Sequence, residues 1–145
     1  MLKGLDSLLT PELLMHLSAM GHGEWVAVVD ANFTADFLGK GKALVRLPGH
    51  SLERVSKAVL SVFPLAEDVA CPAAYMQVCH SPEGHQTAAQ ASVVVLLSHE
   101  GLPASRVEAV ERFAFYEKIK GASVIVQSGE ATAYGNAMFC KGVIL

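Results

Sequence analysis

The run Trp25-Val26-Ala27-Val28-Val29 constrains this chain more than any other stretch. Five apolar residues, three of them Val, stand between Gly23-Glu24 and Asp30, and a short β-branched run closed by turn formers reads as a buried strand. Asp30 then falls at the strand's carboxyl end, where open α/β sheets hold their ligands. His22 lies ahead of the strand, between Gly21 and Gly23, where glycine leaves the backbone free to place the ring. The two side chains need not face one another within one subunit. A site that used both would be completed by other segments or by another chain.

A chain of 145 residues is long enough for one domain, spanning 1–145, to bury a core without disulfides or metal. Hydrophobic residues make up 52% and charged residues 17%, against about 25% charged in an average globular domain. So little polar surface points to a homo-oligomer that buries apolar faces between subunits. With a net charge of −3 and eleven scattered Lys and Arg, the chain offers nucleic acid no basic surface. No apolar run reaches the roughly 18 residues of a membrane span, and no signal pattern opens the sequence, so the expected location is cytoplasmic. Three cysteines without Cys-x-x-Cys spacing argue against a disulfide framework and a zinc site, and predict buried free thiols.

In chain order, Thr10 as N-cap, Pro11 at the first helical position and Glu12 in the first turn open a helix with an apolar stripe of Leu13, Leu14, Leu17 and Met20. Gly21 is its expected left-handed stop. Residues 31–42 read as a surface loop, since Gly39-Lys40-Gly41-Lys42 lacks phosphate-loop spacing. A strand over 43–47 and a helix capped by Ser51 and ended by Pro64 follow. Residues 73–80 read as a strand, and 86–98 as a helix, because a parallel sheet needs a crossover before its next strand. Ser105-Arg106-Val107-Glu108 has the form of a capping box, and local pattern favours one helix from there to Lys120 over a strand at 107–111 followed by a short helix. Strands at 123–127 and 137–140 flank Tyr134-Gly135-Asn136, whose glycine lets backbone approach a ligand. His80, His85 and His99 lack metal-ligand spacing, and no metal is expected.

Several blocks in order, Pro11-Glu12-Leu13-Leu14, Met20-Gly21-His22-Gly23, Asp30-Ala31-Asn32-Phe33, Arg112-Phe113-Ala114-Phe115-Tyr116-Glu117, Ser128-Gly129-Glu130, Tyr134-Gly135-Asn136 and Lys141-Gly142-Val143, resemble the fucose mutarotase and D-ribose pyranase family. The Arg112 block is closer to the fucose mutarotase branch. The resemblance covers the whole chain. It implies a three-layer α/β/α single domain with a largely parallel or mixed central sheet, a decameric ring, and interconversion of sugar anomers or ring forms without cofactor or metal. It also implies a strand ahead of Arg112, against the single long helix. By the same resemblance His22 matches the family's proton donor, and Asp30, Arg112, Tyr134, Gly135 and Asn136 match its sugar-binding positions.

The residue types suit that chemistry. Opening a hemiacetal takes a proton from the anomeric hydroxyl and delivers one to the ring oxygen, and an imidazole can do either near neutral pH. A carboxylate accepts from hydroxyls, a guanidinium offers a fixed fork of donors, and a carboxamide does both. The bland readings are a helix-stop histidine, a turn aspartate after a strand, and a plain Tyr-Gly-Asn turn. The competing function is a non-catalytic monosaccharide-binding oligomer with a regulatory or transport-associated role.

Overall fold

The Val-rich run forms β1 (Trp25–Val29), with Val26 to Val29 all fully buried. The computed structural model describes residues 2–145. β1 runs parallel to β5 (Ala122–Ser128) on one side and antiparallel to β6 (Ala137–Cys140) on the other. With β2 (Ala43–Leu47), β3 (Ala73–Met76) and β4 (Val107–Val110) these make a six-stranded sheet in the order β2-β5-β1-β6-β3-β4. Every pairing without β6 is parallel, and β6 opposes both neighbours, so the sheet is mixed as expected. One consequence matters for the site. The start of β6 meets the ends of β1 and β3 at the same edge.

Alternation along β1 divides the core. Val26 and Val28 face a cluster built with Leu13, Leu17, Val55, Val59 and Val93, from α1 (Pro11–Ala19), α3 (Leu52–Leu60) and α4 (Ala88–His99). Ala27 and Val29 face a second cluster with Ala35, Phe115 and Ile119, from the one-turn α2 (Ala35–Leu38) and α5 (Arg112–Lys120). Helices therefore cover both faces, giving the three-layer α/β/α arrangement. Among the described residues no helix is long and apolar enough to cross a membrane.

Several boundaries differ from expectation for identifiable reasons. Thr10 caps α1 by accepting from Leu13 N–H at 3.2 Å, but the helix ends at Met20, whose extended backbone buries its side chain in the core. Gly21 is not the left-handed stop; the positive φ, 82°, belongs to Gly23. Lys141 Nζ instead satisfies the helix end, donating to Leu17 O at 2.8 Å and Met20 O at 2.6 Å. The strand predicted at 73–80 stops at Met76, and His80 turns the chain with φ of 59°. The capping-box pattern at Ser105 does not start a helix. Val107 to Val110 pair with β3, and Glu111 supplies the cap of α5, accepting from Phe113 N–H at 2.8 Å and Ala114 N–H at 3.0 Å. The helix at 86–98 is present as α4. Of the three thiols only Cys140 is fully buried, while Cys71 and Cys79 are half-buried.

Candidate functional site

At the carboxyl edge of β1 and β3 a cleft of about 510 Å³ opens between the loop after β1, the start of α5 and the loop before β6. Asp30, Arg112, Tyr134 and Asn136 all line it. Asp30 and Asn136 are 5% and 2% exposed and hold each other reciprocally. Asn136 Nδ2 donates to Asp30 Oδ2 at 2.9 Å, and Asn136 Oδ1 accepts from Asp30 N–H at 2.9 Å. Because the Asp30 N–H can only donate, the carboxamide's orientation is determined. Asp30 Oδ1 also accepts from Asn32 N–H at 2.9 Å, closing a turn.

Burial pushes the Asp30 carboxyl above its ordinary range; the hydrogen bonds from Asn32 and Asn136 pull against that, and the nearby Glu130 adds to it. A carboxylate has about four lone-pair sites, and the Asn32 backbone N–H and the Asn136 carboxamide use two of them, leaving acceptor capacity for hydroxyl donors.

Arg112 stands at the first position of α5, where Nε donates to Tyr116 Oη at 2.9 Å and the guanidinium lies 5.5 Å from the Tyr116 ring centre. Among the described residues its two terminal nitrogens make no protein hydrogen bond, so they are free to donate at the rim. Tyr134 is held with φ of 62°, a left-handed conformation uncommon for a residue with a side chain. Its phenol is pushed up chiefly by the neighbouring Cys79 side chain, with the charge of Arg112 acting the other way. Gly135 sits behind the cleft rather than on its wall. A Cβ there would stand 2.7 Å from Glu130 Cγ and 2.9 Å from Thr132 O, so only glycine lets the loop close down beside Asp30.

His22 is not brought to this cleft. The whole of β1 intervenes, five residues or about 16 Å of strand at ~3.3 Å each, and His22 lies at the opposite edge of the sheet. There Nε2 sits 3.0 Å from Asp68 Oδ2, with the two side chains 42% and 66% exposed, beside a second cavity of about 310 Å³ that also involves Leu65, Val143 and Leu145. The chain between the two glycines is fixed by the end of β6, where Lys141 O accepts from Gly23 N–H and Lys141 N–H donates to Glu24 O, both at 2.8 Å.

The cleft has further walls that sequence reasoning did not assign. Phe33, Met76 and Tyr116 form an apolar side, with Phe33 and Tyr116 edge to face at 5.7 Å, and Asn32 and Thr34 stand at the mouth. Tyr116 follows Arg112 by four residues and so shares its helix face, a signal available in the sequence. Asn32 was legible as a turn partner two residues after Asp30. Met76 had no local signal, because only the pairing of β3 with β6 brings it there.

The fold and cleft together define a three-layer α/β protein with one small, mixed polar and apolar pocket at the carboxyl edge of its sheet. The chain belongs to the RbsD / FucU transport protein family, whose sequence model matches residues 3–144. It is 37% identical over 146 residues to the fucose mutarotase of Homo sapiens, covering 99% of this chain and 94% of that protein. The L-fucose mutarotase of Glaesserella parasuis is 36% identical over 143 residues, covering 99% of this chain and 96% of its own. Among solved structures, the fucose mutarotase of Streptococcus pneumoniae in complex with L-fucose superposes with a TM-score of 0.88 at 27% identity, over 99% of this chain and 100% of that one.

Proposed function

We propose that this protein is a cofactor-independent sugar mutarotase that interconverts the anomers of a monosaccharide, L-fucose being the first sugar to test. The observation that carries the reading is the buried Asp30–Asn136 clamp facing Arg112 across one cleft, in a chain so similar to proteins named for this activity. In this reading Asp30, Asn136 and the free nitrogens of Arg112 hold sugar hydroxyls, Tyr134 hydrogen-bonds the sugar beside them, and Gly135 lets the loop close behind Asp30. Ring opening removes the proton of the anomeric hydroxyl and protonates the ring oxygen; closure on the other face of the aldehyde reverses both transfers. All protons move between side chain, sugar and water, so the reaction needs neither metal nor redox cofactor. General acid–base help of about 10²- to 10⁴-fold suffices for a reaction that already runs unaided in water.

His22 is the proton carrier in this reading, and it comes from a neighbouring copy. Within one chain the sheet separates it from Asp30, while a repeating contact that sets the His22 edge of one subunit against the cleft of the next brings them together. Exposed apolar residues at both places favour such a contact: Phe113 is 67% exposed next to Arg112, and Val143 is 58% exposed beside His22. A contact of this kind closes into a ring, the decamer that the family resemblance implies, working in the cytoplasm.

A non-catalytic sugar-binding oligomer has one observation in its favour, the absence of the imidazole from the cleft of a single chain. Saturation-transfer NMR on the anomeric protons of L-fucose, D-ribose and other monosaccharides separates the two. Exchange accelerated by wild type and lost in His22→Ala supports the mutarotase. Saturable binding with exchange at the solvent rate overturns it.

A further inference from the structure

We propose that Gln90 is a positioning residue of the sugar site, holding Tyr134 and Asn136 in place from the helix behind the cleft. The inference rests on the mutarotase reading for its kinetic consequence but not for its geometry. Gln90 is fully buried on the first turn of α4, an unusual place for a carboxamide unless all of it is used. Its Nε2 donates to Met76 O at 2.6 Å and to Tyr134 O at 2.8 Å. Its Oε1 accepts from Thr87 N–H at 3.0 Å, completing a capping box with Thr87 Oγ1, which accepts from Gln90 N–H at 3.2 Å. Both partners of the nitrogen are carbonyls, which only accept, so the amide cannot be turned around.

The two carbonyls belong to residues on the wall of the cleft. Tyr134 O is also the acceptor for Asn136 N–H at 2.8 Å, so one oxygen serves the positioning amide and the residue that clamps Asp30. Tyr134 itself holds a left-handed φ of 62°, a conformation that persists in a residue with a side chain only when its surroundings impose it. Gln90 is such an imposed constraint. It ties the turn at Tyr134 to the end of β3 on one side and to the start of α4 on the other. Without it the Tyr134 carbonyl loses a partner, the turn relaxes towards ordinary φ, and both the phenol and the Asn136 amide leave the positions from which they face a sugar.

The test compares Gln90→Met, which keeps length and volume but donates nothing, with Val93→Ala, a cavity in the same helix at a buried residue outside the cleft. The readouts are thermal stability, KM and kcat for L-fucose anomer exchange, and the amide resonances of Asn136. Gln90→Met is expected to lower kcat/KM by about 10- to 100-fold, mostly through KM, and to move the Asn136 side-chain resonances. Val93→Ala, which only lowers the folded fraction, is expected to leave KM and those resonances alone. If Gln90→Met does not fold, Gln90→Glu serves, since a buried carboxyl of the same shape has at most one proton to donate; its KM is expected above that of wild type. Wild-type KM and unmoved Asn136 resonances in whichever Gln90 variant folds, or equal changes in Val93→Ala, would overturn the proposal. If wild type accelerates no sugar, the mutarotase reading falls, and the Asn136 resonances alone decide the role of Gln90.

Discussion

The two edges of the central sheet carry polar groups of opposite character. At the carboxyl edge Asp30 and Asn136 are buried, bonded to each other twice, and backed by Gly135 and by Gln90 behind the loop. At the amino edge His22 and Asp68 are both exposed, and among the described residues each side chain hydrogen-bonds only the other, a surface pair of a kind worth at most about 1 kcal/mol. Groups that hold a ligand gain from being fixed in advance, because the cost of ordering them is met on folding rather than on binding. The His22 edge lacks that enclosure in a single chain, and the proposed reading supplies it from a second subunit.

The largest effect should come from the less ordered edge. His22→Ala is expected to lower catalysed anomer exchange by about 10²- to 10⁴-fold, read by saturation-transfer NMR. Its unfolding free energy should stay within about 0.5 kcal/mol of wild type, because the side chain is half exposed. Mixing denatured His22→Ala and Asn136→Ala chains and refolding them together sharpens the comparison. If the site lies between copies, about a quarter of the pockets in a mixed ring regain both groups and activity returns. If each chain uses only its own residues, no activity returns.

At the other edge stability should move as well. Asn136→Ala removes both bonds of the clamp and leaves Asp30 Oδ2 buried without its donor. A loss of about 2–3 kcal/mol in urea unfolding at an unchanged m-value is expected, together with loss of sugar binding. A loss below ~0.5 kcal/mol would mean that the two edges differ less than their geometry indicates.

How far this contrast was legible in the sequence differs between its two sides. Asp30 and Tyr134-Gly135-Asn136 announced themselves locally, through a strand end and a glycine turn. The separation of His22 from Asp30 followed from their standing at opposite ends of one strand. What was hidden depended on non-local pairing. Met76 reaches the cleft only because β3 lies antiparallel to β6, and a strand predicted to run to residue 80 gave no hint that the cleft begins at its fourth residue. Likewise, the pattern at Ser105 satisfies every local rule for a helix start, yet Val107 to Val110 gain more by completing the sheet edge beside β3. The family resemblance supplied the strand there, while local propensity pointed the other way. Thr87 and Gln90 have capping-box spacing, so the helix start could be read, but nothing local told that the same amide reaches the Tyr134 carbonyl behind the cleft wall.

A smaller, pH-dependent effect distinguishes the buried carboxylate from those held at the surface. Asp30 titrates above its unfolded value because of burial, so the folded state binds its proton more tightly. Its contribution to stability is fully present below the unfolded value, near 3.8, and is lost as pH rises through the folded one. Asp6 has the opposite sign. The hydrogen bonds from Arg54, at 2.7 and 2.8 Å, hold it below its ordinary range, so its contribution is present above the unfolded value and lost as pH falls through the folded one. The unfolding free energy of wild type minus that of Asp30→Asn should therefore fall as pH rises through the acid range, while the same difference against Asp6→Asn should rise. Urea titrations at a series of pH values read both slopes. Slopes of the same sign would remove the electrostatic distinction between these two carboxylates.

The smallest effect tests whether the amino edge is ordered at all before a second copy arrives. Asp68→Asn keeps the shape and a possible hydrogen bond to His22 but removes the charge, and between exposed partners that is expected to change unfolding free energy by less than about 0.5 kcal/mol. If Asp68 holds the ring in one orientation for transfer, exchange should fall less than tenfold, in kcat and not in KM, because Asp68 then acts through His22 and not on the sugar. An unchanged kcat would mean that the contact at 3.0 Å is replaced when subunits meet, leaving the neighbouring copy to orient His22. A change in KM instead would place Asp68 against the bound sugar, and the division of labour between the two edges would have to be redrawn with a carboxylate on each side of the same ligand.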